Sequence, residues 1–555
     1  MRLLGEFRVA AIPAKLHGKP TADAACVGCF SARAALAALL LAHAGLLAHG
    51  ATQHSPTMLE PAFLVSGISH WQFGRFELFR VNPPLVRMVA ALPVLAAGCE
   101  TDWSRYYDGP GSRAEFPLGS DFVKVNGERS IWLFTVARWA CIPFSVLGGL
   151  FCFLWARELW GSEWSGLIAA ALWCFEPNVL AHGELITADC AAASFGLGAG
   201  YFFWRWLRRP GWDRAFLAGL FLGLAELTKT TWIILFGLWP LLWVVFGRGL
   251  RVEGRASKSR RRGEPRGAPL MQLAFLLLFA VYLINVAYGF DGTLTRLEDF
   301  TFVSRTLTGA KETGKPGNRF ANTWLGELPV PLPKQYVLGI DTQKSDFERP
   351  HRSYLAGEWK EGGWWYYYLY GLWVKVPHGT QLVVVLALVV FVWRWAWGRR
   401  VQREGARAGS LNREAVFADG GRPVVETGLP APANGGREPT GEEEPDGDAS
   451  GSPTSGPHGD ESVSSLEGGS GPRLSALSSP LSSSLNPQPS PLNVLVLLLP
   501  ALCVFVLVSS QTNLNEHFRY VLPCFGFVFV FCGALGRRVA GGEEPRGQRN
   551  KTKRR

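Results

Sequence analysis

Residues 55–93 read SPTMLEPAFLVSGISHWQFGRFELFRVNPPLVRMVAALP. The stretch follows the first apolar run of the chain. It is dense in Trp, Phe, Arg and Glu, and its Pro83-Pro84 pair precedes an amphipathic run. Apolar and aromatic groups on one side with Arg on the other describe a segment lying on a membrane surface. The rest of the chain divides into long apolar runs that would hold this stretch in place and polar groups at run ends that would face it.

Working outward, the 555 residues are 48% hydrophobic, with 22 Trp and 35 Phe. Gathered into long runs, that load implies a multi-pass membrane protein. The formal net charge of +11 lies mostly in blocks between apolar runs. The positive-inside rule accounts for such blocks better than nucleic-acid binding does. Most of the 10 Cys fall inside apolar runs as small hydrophobes, and Cys99 is alone in its loop. Cys26 and Cys29 form a single C-x-x-C without the second pair of a metal site.

Ten spans are predicted: residues 32–49, 131–156, 164–180, 187–206, 216–227, 231–246, 270–290, 382–397, 492–508 and 520–535. The basic stretches at 1–31, 205–214, 248–266, 399–400 and 537–555 all fall on one side if the N-terminus is cytoplasmic. Both termini are then cytoplasmic, and outer loops cover 50–130 and 291–377. Residues 357–377 end in an aromatic belt, GWWYYYLYGLW at 363–373. The organisation expected is a cytoplasmic tail (1–31), a transmembrane domain (32–400), a Ser/Gly/Pro/Glu-rich linker (401–490) too poor in aromatic residues to bury a core, two last helices (491–536) and a basic tail (537–555).

In this topology scattered ionisable residues converge on the outer face: Glu60, Arg87, His182, Glu184, Asp189, Glu226, Lys229, Lys375, His517 and Arg519. Each has a plain structural role open to it. Glu60 reads equally as a solvated loop carboxylate, Asp189 and His182 as caps of the helix beginning near residue 187, Glu226 and Lys229 as a self-neutralising pair, and Arg87 and Arg519 as snorkelling cations. Ionisable groups at membrane depth are costly, so several on one face point to function. Carboxylates among cations suit a phosphate-bearing lipid: Arg and Lys hold the phosphate and a carboxylate takes a proton from an attacking hydroxyl.

Six segments, in order, resemble the GT-C membrane glycosyltransferases, in particular bacterial relatives of the protein O-mannosyltransferases and of the lipid A aminoarabinose transferase. They are LEPAFLVSG (59–67), NPPLVRMVAALP (82–93), EPNVLAHGELITADCAAA (176–193), GLAELTKTTW (223–232), GEWKEGGWWYYYLYGLWVKVP (357–377) and HFRYVLP (517–523). The resemblance implies an all-α bundle of about ten transmembrane helices with an extracytoplasmic first loop bearing surface helices. It implies an enzyme of the inner cell membrane, a hexosyl or pentosyl transferase working at the outer face. Its donor would be a polyprenyl-phosphate-linked sugar, transferred with inversion to a protein or lipid acceptor. Glu60 and Asp189 are the catalytic candidates, Arg87, Lys229 and Arg519 the phosphate-binding ones, and His182, Glu226, His517 and Lys375 supporting residues. The family's first-loop Asp-Glu-Pro has Leu59 at the Asp position here, and Phe63 stands where a His is frequent. A flippase for a lipid-linked sugar, or an inactive relative that binds a partner, uses the same cations without a base. No cofactor is certain; a divalent metal stays open, since a carboxylate and a His are present without tight ligand spacing.

Overall fold

The computed structural model describes residues 22–252, 267–419 and 490–537. It is a helical bundle with one small hairpin, as expected for an all-α polytopic membrane protein. The first span, α1 (Ala22–Gln53), leads into a long connection that carries three helices, α2 (Glu60–Phe73), α3 (Leu85–Ala97) and α4 (Glu115–Asn126). α2 is not a helix lying open on a surface: from Glu60 to His70 nearly every residue is buried. Gly67 lets it meet α3, because a Cβ there would collide with the Arg87 carbonyl.

The bundle proper follows with α5 (Arg129–Trp160), α6 (Glu163–Phe175), α7 (Pro177–Gly183), α8 (Ala188–Arg208), α9 (Trp212–Glu226), α10 (Ile234–Val252) and α11 (Ala268–Ala287). α8 is its hub. Every residue of α8 except Arg205 and Arg208 is buried. Its run ADCAAASFGLGAG supplies the small residues that let membrane helices approach: a Cβ on Gly196 would enter the Trp232 ring, and one on Gly200 would press on Trp155 and Phe527. Buried indoles bond across the bundle, Trp206 Nε1 to Gln272 at 3.0 Å and Trp232 Nε1 to the Ala192 carbonyl at 2.9 Å.

The second long connection, after α11, contains the single turn α12 (Arg305–Thr308), the helix α13 (Lys334–Glu348), an antiparallel hairpin of β1 (Arg352–Leu355) and β2 (Glu358–Glu361), and α14 (Tyr367–Lys375). Then come α15 (His378–Asp419), α16 (Pro491–Ser510) and α17 (Leu522–Cys532). α15 continues to Asp419, so residues 401–419, expected in the polar linker, are helical. The part of α15 from Ala396 on belongs to a second compact unit. The remaining linker residues 420–489, the tail residues 1–21 and 538–555, and residues 253–266 of the most basic block lie outside the described residues.

The span count differs from ten. Among the described residues seven helices are long and apolar enough to cross a membrane, and eight if the bent pair α7–α8 is one span. The third expected span, 164–180, is broken at Glu176, which is extended (φ −68°, ψ 120°) because Pro177 follows it. What remains, α6, has 13 residues, about 20 Å at 1.5 Å per residue, against a hydrocarbon core of about 30 Å. The expected span 216–227 is α9, of 15 residues, about 22 Å long. The expected span 187–206 is α8, whose axis turns by 114° from that of α7.

Candidate active site

One end of the bundle gathers the interruptions. The α7–α8 bend, the 3-10 turn after α9 (Thr230–Ile233), the end of α14, the end of α16 and the 3-10 turn Phe518–Val521 before α17 all come together there. Each interruption leaves a polar side chain at a helix terminus, and three of these meet directly. Asp189, in the first turn of α8, accepts a hydrogen bond from Lys229 Nζ at 2.7 Å through Oδ1, and Arg519 Nε lies 3.4 Å from Oδ2. The helix N-terminus beneath favours the negative charge. Gly196 and the Trp232 bond to Ala192 seat the turn carrying Lys229 against α8. Tyr520 covers both cations, with Lys229 Nζ 4.7 Å and the Arg519 guanidinium 5.8 Å from its ring centre, a stabilising cation–π geometry.

Around this core stand His182, His517 and Lys375. All three lie within electrostatic reach of the cluster, and Lys375 Nζ lies 5.7 Å from the Phe518 ring centre. Burial, then the neighbouring Arg519 cation, pushes the His517 imidazole down to about 4, so it is neutral at physiological pH. His182 Nδ1 and Thr187 Oγ1, on either side of the bend, are buried without a protein partner. Unsatisfied buried polar atoms are rare and costly, and mark where a ligand or water would bond.

A cavity of about 260 Å3 opens beside Lys229 and Tyr520. Ile233 on the turn into α10 and Leu507 and Val508 on α16 form one wall, and Ile340, Gln343, Lys344 and Phe347 of α13 another. Ile233 and Leu507 sit on two of the membrane-crossing helices and remain 42% and 39% exposed. The cavity lining thus includes partly exposed apolar residues of two candidate spans.

Three expected site residues lie elsewhere. Glu60 is fully buried and chelated by Arg138, Nε to Oε1 at 2.8 Å and Nη2 to Oε2 at 2.7 Å. Its oxygens also accept from the Thr57 amide at 2.7 Å and the Ile186 amide at 3.3 Å. Such a carboxylate has no lone pair facing an incoming hydroxyl; it holds the loop that ends at Asp189. Arg87 is fully buried away from the cluster. Its Nε donates to His70 Nε2 at 2.7 Å and its Nη1 to the Phe79 and Asn82 carbonyls. Burial lowers it to about 10. Glu226 does not pair with Lys229 but accepts from the Tyr336 hydroxyl at 2.9 Å.

Arg138 lies in none of the six motif segments, yet it is the one charged side chain inside the apolar run 131–156, which is the signal for a committed partner. Tyr520 sits within HFRYVLP, where the motif alone does not single it out. His54, bonded to Glu184 at 2.7 Å, and Tyr336 carry no local pattern that would have drawn attention. Among the described residues no group of three or more His, Cys, Asp or Glu is arranged to hold a metal ion.

Residues 107–290 match the family model of dolichyl-phosphate-mannose-protein mannosyltransferases, a GT-C family. The matched region contains Asp189 and Lys229, whereas Glu60 and Arg519 lie outside it. Among curated proteins and solved structures, none matches the chain. Over residues 107–290, and in its multi-pass helical architecture, the chain is similar to GT-C membrane glycosyltransferases.

Proposed function

We propose that the chain transfers a sugar from a polyprenyl-phosphate donor to a protein or lipid hydroxyl at the extracytoplasmic face of the inner cell membrane, both termini being cytoplasmic. The observation that carries this reading is the convergence of Lys229 and Arg519 on the two oxygens of Asp189 beside a cavity lined in part by exposed apolar residues of two candidate spans. Two cations in a largely dry site are the donors a phosphate needs. Asp189 keeps them side by side in its absence.

When the donor phosphate takes over Lys229 and Arg519, the Asp189 oxygens become free to accept a proton. The acceptor hydroxyl oxygen attacks the anomeric carbon, its proton passes to Asp189, and the bond from that carbon to the phosphate oxygen breaks. The electron pair leaves on the phosphate, where Lys229 and Arg519 stabilise the charge. One displacement inverts the anomeric centre. His182, neutral His517 and Lys375 line the approach. Glu60 is a positioning residue through Ile186, and Arg87 fixes the first loop. The polyprenyl chain leaves between the turn at Ile233 and Leu507.

The test uses the full chain in lipid vesicles with a radiolabelled polyprenyl-phosphate sugar and membrane acceptors. Label is expected in an acceptor, with the opposite anomeric configuration to the donor. Donor crossing the bilayer with no labelled product would replace this reading with a flippase.

A further inference from the structure

The α13 helix carries a chemical feature that the cluster at Asp189 does not explain. Tyr336, Ile340, Gln343, Lys344 and Phe347 recur at the spacing of one helical face, and the last four line the cavity. The opposite face is committed to the second long connection: Asp341 accepts from the amides of Val303 and Ser304 at 2.7 and 3.0 Å. The ends of the helix are tied down as well. Tyr336 donates to Glu226, three residues before Lys229, and Asn513, four residues before His517, donates to the Phe347 carbonyl at 3.2 Å. These bonds fix the cavity face of α13 relative to both cationic turns of the site.

On that face Lys344 is a half-buried ammonium with no hydrogen bond or ion pair among the described residues. Its natural helical partner would be Glu348, one turn on. That carboxylate is occupied instead by the amides of Arg305 and Thr306 and the hydroxyls of Thr306 and Thr313. Lys344 thus borders the same cavity as Lys229, its charge offset only at longer range by Glu348, with Gln343 and Gln511 as neutral donors between apolar walls. A cation left unpaired in a partly desolvated cavity is stabilised by an anionic ligand.

We propose that Lys344 is a binding residue for the phosphate of a lipid-linked donor, contacting it from the α13 side while Lys229 and Arg519 contact it from the bundle. This rests on the reading of the cavity as the donor site given above. The ligand class is a polyprenyl monophosphate ester, in which the phosphate meets the ammonium and the first isoprene units meet Phe347, Ile340 and Leu507.

The test measures binding of polyprenyl phosphate, without sugar, to the full chain in nanodiscs, with inorganic phosphate as a parallel ligand. Lys344→Met is expected to weaken lipid binding at least about tenfold and Lys344→Arg to restore it to within about threefold. Lys334→Met, at the far end of the same helix, should bind as wild type does. Inorganic phosphate should bind far more weakly than the lipid to every form. If Lys344→Met binds the lipid as tightly as wild type while Lys229→Met does not, the assignment of Lys344 fails and the donor site stands. If wild type binds no polyprenyl phosphate, the donor site itself fails. Equal affinity for inorganic phosphate would overturn the lipid assignment.

Discussion

Asp189 and Glu60 show how two buried carboxylates from motif-like segments take different work. Asp189 has one oxygen on a lysine that lines a cavity and the other at ion-pair distance from an arginine. Glu60 has a bidentate arginine and two backbone amides. Breaking a buried ion pair typically costs about 3–5 kcal/mol. Arg138→Ala and Glu60→Gln are therefore each expected to lower thermal stability strongly, measured as loss of folded protein on heating. A full-strength Tm in either variant would remove the structural role given to the pair. His70 supplies a pH test. Burial, and then the contact with Arg87, holds its imidazole well below the usual 6.5, and its Nε2 must stay unprotonated to accept from Arg87 Nε. The unfolded chain takes up a proton below about 6.5 that the folded chain refuses, so this contribution to stability is complete above that pH and is lost progressively as pH falls below it. His70→Gln is expected to flatten the decline of Tm over that interval; an unchanged slope would count against it.

Among the elements, α8 and the turn after α9 decide whether the site assembles. The Lys229 turn reaches Asp189 only because position 196 has no side chain and Trp232 fits over it. Gly196→Ala should displace that turn, cost about 1–3 kcal/mol through overpacking, and lower transfer more than a comparable change elsewhere on α8. Transfer rate per folded molecule checks this. The positions of helices were legible in the sequence because apolar runs are; each of the ten runs corresponds to helix. Their function as spans was less legible. Residues 164–180 read as one apolar stretch, yet Pro177 makes Glu176 extended and ends α6 after 13 residues. The proline was visible, but its consequence, a surface helix bent away from α8, depends on tertiary packing. At the site, Asp189, Lys229 and Arg519 were legible as ionisable groups at run ends. The contacts of Asp189 with Lys229 and Arg519, 40 and 330 residues away, and of Glu60 with Arg138, 78 residues away, are recorded by no local pattern, whereas Arg87 is held by His70, Phe79 and Asn82 within its own loop.

For the molecule as a whole, the charge blocks and the site occupy opposite ends of the same helices. α8 begins at Asp189 and ends among Arg205, Arg208 and Arg209. By the positive-inside rule this polarity favours the proposed placement of the site on the outer side. Cysteine substitutions at exposed Lys311 and Arg209 are expected to separate cleanly: an impermeant thiol reagent applied to intact cells should label the first and miss the second. Labelling of Arg209→Cys alone would invert the topology and move the chemistry to the cytoplasm. In the proposed reaction Asp189, flanked by Lys229 and Arg519, takes the acceptor's proton, and the initial transfer rate of Asp189→Asn at equal amounts of folded, donor-binding protein tests this. A loss of about 10²–10⁴-fold is expected, the usual contribution of a positioned base, with polyprenyl phosphate still bound. A rate within about threefold of wild type would contradict the account and return the search for the base to another residue.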